Sequence, residues 1–363
     1  MRISIAIFVL LISTQINAQQ KIENVIIITT DGMRWQEVFT GMDPEIASNA
    51  KYNQGDSNYI FKTYYDADPI KRRLKLMPFL WTEIAAKGQI YGNRKFENKV
   101  NTANPYWFSY PGYNEIMTGF PDTAVNSNDY KANPHVTVLE YLNGQPDYKG
   151  RVAAFGAWDA FDRILNEQRA GFQVVSAFDT VKGKITERQK LINTMVRNSQ
   201  RPFGDVECLD VFTHYGATEF MSASKPKVLY ISYGETDEWA HHGYYKNYLD
   251  AARQVDKWIG EIWSSVQADP QYKNKTALLI TVDHGRGNRN KEQWTDHGEG
   301  IEEASEIWFA VIAPGNVPAA GEIKQPMQLY QKQLAQTVAM ILGKKYTASH
   351  PIGEAVREIW LQK

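Results

Sequence analysis

Residues 24–32 read NVIIITTDG, and this stretch decides the fold class. Every residue from Val25 to Thr30 is β-branched, with no alternation between apolar and polar positions. Such a run is typical of a strand that is buried on both faces of a parallel sheet. Asp31 and Gly32 end the run abruptly, which predicts a turn at the carboxyl end of this strand.

The same form recurs along the chain and is interleaved with helix-like stretches. Further strand-like runs cover residues 151–154, 227–232, 277–282 and 307–313. Helix-like stretches cover residues 78–87, 136–142, 187–197, 245–266 and 330–342. Because strands that alternate with helices form parallel sheets with covered faces, the sequence predicts an α/β fold. Its mostly parallel central sheet is sandwiched by helices, with inserted loops or a small cap.

Two stretches interrupt this alternation. Residues 41–75 are polar, rich in Tyr, Asn and Asp, and have no sustained period, which predicts an insertion over the sheet edge or a lid. Residues 315–325 carry Gly and Pro and are predicted to link the last central strand to the C-terminal helices. Without internal repeats or a long linker, residues 19–363 are predicted to form one domain.

The N-terminus has the form of a targeting segment. Arg2 precedes an apolar run over residues 3–12, and the small residue Ala18 follows at the expected cleavage position. This pattern predicts a signal peptide over residues 1–18 and export to the periplasm or out of the cell. About ten apolar residues fall short of the roughly 20 that span a bilayer, and no later run approaches that length. We therefore expect no transmembrane segment after cleavage.

Composition excludes several classes of protein. The 363 residues include 40 Lys and Arg against 41 Asp and Glu, which leaves no basic field for a nucleic-acid-binding surface. With 12% aromatic and only 22% charged residues, the chain is not disordered. Cys208 is the single cysteine, so no disulfide can form within the chain.

Acidic and imidazole side chains follow the predicted strands, at the sheet edge where ligands bind in such folds. Three Asp and three His divide into two three-ligand sites, each with an open position, as a catalytic zinc requires. Manganese is the alternative cation, since it also accepts Asp-rich sites. A lone Asp or His at a strand end is otherwise a cap or a solvated loop residue. The candidate ligands are Asp31, Asp237, His241, Asp283, His284 and His297.

Ser109 is the candidate nucleophile. It precedes Pro111 and Gly112, which turn the chain into a helix-like stretch that ends at Thr118 and Gly119. A serine at a helix N-terminus meets free N–H groups and the positive end of the helix dipole, which favour an alkoxide and bind phosphate oxygens. The alternative is that Ser109 only caps the helix.

Taken together, Asp31, Ser109 and the Asp–His pairs resemble the alkaline phosphatase superfamily. The resemblance runs in order from about residue 24 to 314 and is closest to the nucleotide pyrophosphatase/phosphodiesterase and related phosphatase branches. It implies a two-metal phosphoric ester hydrolase in which Ser109 attacks phosphorus. One zinc would be held by Asp237, His241 and His297, and the other by Asp31, Asp283 and His284.

These residues do not decide which branch of the superfamily the chain resembles most. Sulfatases carry an arginine four residues after the matured Cys or Ser, where this chain has Tyr113. The pyrophosphatase/phosphodiesterase branch usually has Thr where Ser109 stands, whereas alkaline phosphatases use Ser. We predict a phosphomonoesterase with a phosphoseryl intermediate, acting on a phosphorylated small molecule or nucleotide-like substrate. The alternatives are a phosphodiesterase or nucleotide pyrophosphatase, a phosphoglycerate mutase-like phosphotransferase, a sulfatase-like hydrolase, and a metal-stabilised binding protein without turnover.

Three further residues are predicted to contact substrate. Family members often place an Asn beyond the nucleophile helix to bind a phosphate oxygen, and the resemblance assigns that role to Asn128 rather than Asn126. Trp158 could stack on a base or sugar, and Arg169 could pair with a substrate oxygen. A turn-forming role for Asn128, and ordinary packing or a surface ion pair for the other two, are the alternatives.

Overall fold

The computed structural model describes residues 21–315 and 320–359, so the predicted signal peptide lies outside the described residues. A large sheet and a small sheet are built from eleven strands. They are β1 (Asn24–Thr30), β2 (Gly88–Tyr91), β3 (Asn98–Asn101), β4 (Val152–Gly156), β5 (Gln173–Ser176), β6 (Val228–Tyr233), β7 (Thr276–Thr281), β8 (Glu306–Ile307), β9 (Phe309–Ile312), β10 (Gly321–Glu322) and β11 (Met327–Tyr330).

Helices flank the large sheet, as predicted. They are α1 (Trp35–Thr40), α2 (Pro44–Ser48), α3 (Ser57–Tyr64), α4 (Pro69–Leu76), α5 (Ala85–Lys87), α6 (Ser109–Thr118), α7 (Val138–Asn143), α8 (Phe161–Ile164), α9 (Glu167–Ala170), α10 (Glu187–Arg197), α11 (Asp210–Ser224), α12 (Glu235–His241), α13 (Tyr245–Ala268) and α14 (Leu334–Ile341). A π-helical turn, Leu80–Ile84, precedes α5.

Strand β1 lies in the middle of the large sheet, whose order is β10-β2-β9-β7-β1-β6-β4-β5. It pairs in parallel with β6 on one side and β7 on the other, with Ile27 opposite Tyr230 and Leu279. All seven residues of β1 are buried, as are all of those in β6 and β7. Burial on both faces explains the unbroken β-branched run. The predicted α/β class with a mostly parallel central sheet is therefore confirmed.

One central strand runs against its neighbours. β9, which covers part of the predicted run over residues 307–313, pairs antiparallel with both β7 and β2. A parallel neighbour needs a crossover that returns the chain to the starting edge of the sheet. Between β7 and β9 the chain forms only short 3₁₀ turns, Lys291–Thr295 and Glu302–Ser305, and the two-residue strand β8. It therefore re-enters the sheet from the edge at which β7 ended.

Residues 41–75 form three short helices, α2, α3 and α4, despite their lack of a clear period. Two of them begin at an aspartate whose side chain accepts backbone N–H groups, with proline at the first helical position. Ile60 and Tyr64 are buried, and the Tyr64 hydroxyl donates to Asp250 on α13. This segment is thus packed on α13 as part of the core.

Helix α11 is the longest element that the sequence pattern missed. Its buried positions are occupied largely by small or polar residues, among them Thr213, His214, Gly216 and Ala217, so no apolar period marks it. Across the described part of the chain, no helix combines the length and the apolar character that crossing a membrane requires.

His214 predicts how stability depends on pH. Its ring stacks on Trp258 with centroids 4.6 Å apart and shares a 2.9 Å hydrogen bond with the Tyr233 hydroxyl. Burial, assisted by the charge of Lys257, lowers the pKa of His214 from 6.5 to about 4. Because the unfolded chain binds this proton more readily, the contribution to the free energy of unfolding is complete above pH 6.5 and is lost as pH falls towards 4.

We expect proton uptake by His214 in the unfolded chain to lower the free energy of unfolding by about 2 kcal/mol between pH 7 and pH 5. Chemical denaturation of wild type and His214→Gln at both pH values measures it, and the variant should lose correspondingly less. His242→Gln, which alters a half-exposed histidine, is the control and should behave as wild type. Equal losses in wild type and His214→Gln would contradict the prediction.

Candidate metal centre and nucleophile

The parallel order of β6, β1 and β7 brings the predicted ligands to one sheet edge. Asp31 follows β1, Asp237 lies in the first turn of α12 after β6, and Asp283 follows β7. Because these three strands are adjacent and parallel, their carboxyl ends meet. His297 arrives on the loop between β7 and β8, which starts from the same edge.

The first predicted set, Asp31, Asp283 and His284, is closely assembled. His284 Nε2 lies 3.2 Å from Asp31 Oδ1 and 3.3 Å from Asp283 Oδ2. Asp283 and His284 are fully buried, and Asp31 is nearly so. In a tetrahedral zinc site, bonds of about 2.0–2.1 Å separate the ligand atoms by roughly 3.3 Å. These distances therefore match a single cation.

The second predicted set, Asp237, His241 and His297, also converges. His241 Nε2 lies 3.1 Å from Asp237 Oδ2 and 2.9 Å from His297 Nε2. His297 Nε2 lies 3.8 Å from Asp237 Oδ1, and its ring stacks on that of His284 with centroids 3.9 Å apart. His284 Nε2 is also 3.8 Å from Asp237 Oδ1, so the two sets adjoin. The structure brings all six predicted ligands together, and we call them the six-residue cluster.

Three ring or carboxylate atoms of this cluster are buried without a hydrogen-bond partner in the described residues: Asp31 Oδ1, Asp283 Oδ2 and His297 Nδ1. A buried carboxylate oxygen left unpaired is costly, so such oxygens are normally paired with a donor or a cation. The Asp31 and Asp283 oxygens both face His284 Nε2. This donor chemistry, two carboxylates and an imidazole, fits a divalent metal ion.

The charges of the cluster are unbalanced. Burial and the charge of Asp31 raise the pKa of Asp283 well above its usual value, and burial and Asp237 raise the pKa of Asp31. Burial alone would lower the pKa of His284, but Asp283 and Asp31 outweigh it and raise the value to about 9. The protein's own groups thus leave a surplus of negative charge at this edge, and bound cations would neutralise it.

Arg286 is a positioning residue that the sequence reasoning missed. Its fully buried guanidinium donates to Asp237 Oδ1, to the Trp294 carbonyl at 2.9 Å and to the Thr295 carbonyl at 2.6 Å. It therefore ties α12 to the loop that carries His297. Burial would raise the pKa of Asp237, but Arg286 and His241 hold it well below its ordinary value. The signal in the sequence that could have identified Arg286 was its position directly after Asp283-His284-Gly285.

Ser109 is not the cap of its helix. Phe108 occupies the N-cap position of α6 and its side chain makes no capping hydrogen bond, whereas Ser109 is the first helical residue. Its buried hydroxyl lies 3.3 Å from His284 Nε2, at the boundary of the cluster. The capping alternative is therefore excluded by the geometry, and the hydroxyl stands where the candidate nucleophile was expected.

Asn128 lies beside this serine, because its Oδ1 accepts the Tyr110 N–H at 3.0 Å. That bond orients the amide, and its Nδ2 has no partner within the described residues. The Arg163 guanidinium donates hydrogen bonds to the backbone carbonyls of Asn128 at 3.3 Å and Tyr130 at 3.1 Å. The side-chain amide is thus fixed close to Ser109 with donors to spare.

The other two predicted substrate contacts are not joined to the cluster by any hydrogen bond or ion pair of the described residues. Arg169 pairs with Glu140 at 2.6 Å and donates to the Pro134 and His135 carbonyls, so its charge already has partners. Trp158 is half-buried, packs near Phe161 and forms a β-bridge with Glu207. Both assignments stay predictions, and no observed contact supports that of Arg169.

Tyr113, one helical turn after Ser109, was also missed as a functional residue. Its hydroxyl donates to Asp31 Oδ2 at 2.9 Å and accepts from Ser232 at 3.1 Å. Ser232 in turn accepts from Thr29 at 2.8 Å. This buried chain of hydroxyls holds one oxygen of Asp31 and leaves the other facing His284. The position at which a sulfatase would have arginine therefore orients a candidate ligand.

Two glycines allow the elements to approach this closely. Gly32 has φ +57°, and a Cβ there would lie 2.4 Å from Asp237 Oδ1. A Cβ on Gly112 in α6 would lie 2.4 Å from the Asp283 carbonyl oxygen. Side chains at these positions would push Asp31, or the helix that carries Ser109, away from the cluster.

Solved structures with the same architecture define the class of fold. A lipoteichoic acid synthase, LtaP, from Listeria monocytogenes aligns over 94% of this chain and 76% of its own, at 15% identity and a TM-score of 0.58. The alkaline phosphatase PafA aligns over 94% of this chain and 100% of its own, at 11% identity and a TM-score of 0.61. A 2-O GAG sulfatase aligns over 94% and 75%, at 14% identity and a TM-score of 0.58. The fold is that of the alkaline phosphatase superfamily.

Within this class, residues 35–347 match the family model of type I phosphodiesterase / nucleotide pyrophosphatase. The chain belongs to that family. None of the curated proteins compared with the chain matches it. The resemblance inferred from Asp31, Ser109 and the Asp–His pairs is thereby confirmed at the level of superfamily and family.

Proposed function

We propose that the chain is a two-metal hydrolase of phosphoric esters that acts through a phosphoseryl intermediate on Ser109. The observation that carries the proposal is the position of the Ser109 hydroxyl, 3.3 Å from His284 and bordering six converging ligands. Phosphomonoesters are the substrates predicted from the sequence. Family membership supports phosphoric ester chemistry in general.

Each residue has a part in this scheme. The Ser109 hydroxyl gives up its proton to solvent as Oγ attacks phosphorus. An Oγ–P bond forms, the P–O bond to the ester alcohol breaks, and the departing alkoxide takes up a proton from water. Asn128 Nδ2 donates to a non-bridging phosphate oxygen. Water then cleaves the Oγ–P bond and releases phosphate, or a phosphate monoester if the substrate is a diester. The N-terminal end of α6, through its helix dipole, adds a partial positive charge close to the phosphate.

We assign one divalent cation to Asp31, Asp283 and His284 and a second to Asp237, His241 and His297. When bound, such cations supply positive charge that lowers the pKa of a serine hydroxyl and stabilises the attacking and leaving oxygens. Imidazole and carboxylate ligands suit zinc, and manganese is the alternative.

Tyr113 provides a test of this metal assignment. Replacing it with phenylalanine removes the donor to Asp31 Oδ2, and loss of such a partner typically weakens metal binding about 10–100-fold. We expect that loss for one of the two zinc equivalents, measured by competition with a chromogenic chelator. Tyr110→Phe removes a hydroxyl of the same helix that bonds to the Lys131 carbonyl, and should bind zinc as wild type does. Unchanged zinc affinity in Tyr113→Phe would contradict the assignment.

One observation favours phosphodiesters as a second candidate class. Among the described residues, Arg286 is the one arginine or lysine that forms a hydrogen bond or ion pair with the cluster, and it is fully buried. A monoester dianion carries one more negative charge than a diester and gains more from an accessible arginine or lysine. Arg286 is fully buried and already paired with Asp237, so it is not free to pair with a substrate dianion, and the family match also suits a diester.

A substrate panel on the zinc-loaded protein tests the proposal. We expect release of 4-nitrophenol from 4-nitrophenyl phosphate or from bis(4-nitrophenyl) phosphate, and none from 4-nitrophenyl sulfate. The ratio of kcat/KM for the two phosphates assigns the monoester or diester class. Metal analysis should give two equivalents per chain. Faster turnover of the sulfate, or no turnover of any ester at two metal equivalents, would overturn the proposal.

Export is a separate proposal that rests on residues 1–18, outside the described part of the chain. We propose that a signal peptidase cleaves after Ala18 and that the mature enzyme works beyond the inner membrane. N-terminal sequencing of the protein recovered from the periplasm or medium should begin at Gln19. Recovery of full-length protein from the cytoplasm alone would contradict this.

A further inference from the structure

Three aromatic residues, Tyr106, Trp107 and Phe108, directly precede Ser109, and we call them the aromatic lip. All three are half-buried, and none is among the hydrophobic side chains of the described residues that pack on the core. The ring centroids of Tyr106 and Phe108 lie 5.9 Å apart. The Trp107 ring has no aromatic or hydrogen-bonding partner among the described residues. Apolar rings left open in this way carry surface that a ligand can cover.

Both ends of the aromatic lip lie beside the candidate site. At one end it continues directly into Ser109, whose hydroxyl borders His284. At the other end, the Tyr106 carbonyl oxygen is 4.0 Å from the position of a Cβ on Gly298, the residue after His297. The Tyr106 hydroxyl also donates to the Thr123 carbonyl at 2.5 Å. A phosphoryl group on Ser109 would therefore adjoin the segment that carries these rings.

The backbone of the aromatic lip is held by a buried relay. Glu115 on α6 is fully buried, and its carboxylate accepts the Ala103 N–H at 2.9 Å and the Asn104 N–H at 2.8 Å. It also accepts the Asn104 side-chain amide at 2.9 Å. Asn104 Oδ1 then accepts the N–H groups of Tyr106 and Trp107, each at 3.1 Å. The helix that carries Ser109 thus fixes the lip, which reduces the entropy lost when a ligand binds.

Trp107 has a backbone conformation that a bulky residue rarely adopts. Its φ is +55°, in the left-handed region, where glycine is favoured and a large side chain costs on the order of 1 kcal/mol. Within the described residues its indole forms no hydrogen bond and no aromatic contact that would offset that cost. Strained residues of this kind cluster at ligand-binding sites. A glycine would be the more stable choice here unless the ring has a use.

We propose that the aromatic lip binds the leaving group of the substrate, with Trp107 as the stacking platform. The substrates are then phosphoric esters of an alcohol or phenol that bears a planar aromatic ring, in preference to small alkyl esters. This inference rests on the proposed function, because it places the ester oxygen at Ser109. Stacking of one ring on an aromatic side chain contributes about 1–3 kcal/mol, or roughly tenfold to a hundredfold in kcat/KM.

The test compares phenyl phosphate with methyl phosphate, each followed by phosphate release from the zinc-loaded protein. The informative quantity is the ratio of their kcat/KM values in each variant, because intrinsic leaving-group reactivity cancels between variants. We expect the phenyl-to-methyl ratio to fall at least tenfold in Trp107→Gly and to be largely retained in Trp107→Phe. Thermal unfolding should show Trp107→Gly to be no less stable than wild type, since glycine relieves the strain. Tyr215→Ala, which removes an exposed ring on α11, should keep the wild-type ratio.

The outcomes separate this inference from the proposed function. An unchanged ratio in Trp107→Gly overturns the inference while the hydrolase assignment stands. A lower ratio together with a lower melting temperature also overturns it, because packing then explains both losses. If neither of these monoesters nor bis(4-nitrophenyl) phosphate is hydrolysed, the proposed function fails. In that case, and equally for an enzyme that hydrolyses diesters alone, calorimetric titration of the zinc-loaded protein with phenylphosphonate and methylphosphonate tests the aromatic lip. Tighter binding of phenylphosphonate that Trp107→Gly abolishes would support it, and equal binding would overturn it.

Discussion

Asp283→Ala is expected to lower kcat/KM for phosphoric esters by about three orders of magnitude or more, with the fold retained. Losing several kcal/mol of charge stabilisation from one cation costs tenfold in rate per 1.4 kcal/mol. Asp283 is fully buried, its Oδ2 has no hydrogen-bond partner among the residues that the structure describes, and His284 Nε2 lies 3.3 Å away. Kinetics with 4-nitrophenyl esters and metal analysis of the same preparation measure the effect, and bound metal should fall from two equivalents to one.

Folding and ligand roles can be separated with a conservative variant. Asp283→Asn keeps an oxygen that can accept the Gly32 N–H, bonded at 3.1 Å, but removes the charge. It should lose activity nearly as Asp283→Ala does. Zinc raises the melting temperature of a protein that binds it only when folded, so the increase should be smaller in both variants than in wild type.

The matched control is Asp296→Asn, next to His297 in sequence. The Asp296 carboxylate accepts the Thr295 hydroxyl at 2.8 Å and belongs to neither predicted set of ligands. It should keep two metal equivalents and most of its activity. Full activity in Asp283→Ala, or a metal content that this change leaves at two equivalents, would contradict the two-site assignment.

Ser109→Ala should lower kcat about a thousandfold or more while both metal equivalents stay bound. Removing the nucleophile of a covalent hydrolase leaves only the slower direct attack by water. Since Ser109 is not a helix cap and its hydroxyl is 3.3 Å from His284, no structural loss of similar size is expected. Mass spectrometry of acid-quenched reactions should find one phosphoryl group on the wild type and none on the variant.

Ser57→Ala is the control, because Ser57 is the first residue of α3 as Ser109 is of α6. It should retain wild-type kcat and wild-type stability. If Ser109→Ala kept its activity, or if the phosphoryl group formed on another residue, the phosphoseryl scheme would be wrong. A metal-stabilised binding protein would then be the better interpretation.

The main elements of the fold could be predicted from local pattern. The bounds of β1 and α10 match the predicted runs, because one is a pure β-branched run and the other begins with a Thr186 capping box. Helix α11 was missed because its buried positions are mostly small or polar, and the helices of residues 41–75 were missed because each is too short to show a sustained apolar period. The antiparallel direction of β9 depends on how its connection runs in space, which a strand's own sequence does not encode.

The candidate ligands were predictable because their chemical type and position after strands are local features. The six side chains lie on four separate stretches of chain, and parallel pairing of β6, β1 and β7 makes them neighbours. The position of Tyr113 beside Asp31 and the role proposed for Trp107 were not predictable, and Arg286 was marked only by its place after Asp283-His284-Gly285. A buried arginine or tyrosine and a half-buried tryptophan are ordinary residues in sequence, and only their partners, or the lack of them, distinguish them.

The sequence by itself determined the class of sheet, the kinds of ligand and the family pattern, because these follow from side-chain type and spacing along short segments. The tertiary structure alone decided which atoms face one another. Ser109 and His284 are 175 residues apart in the chain, and their 3.3 Å separation results from strand register and from the packing of α6 through Gly112 on the Asp283 backbone. Distances of that kind depend on many long-range contacts at once, and no local pattern contains them.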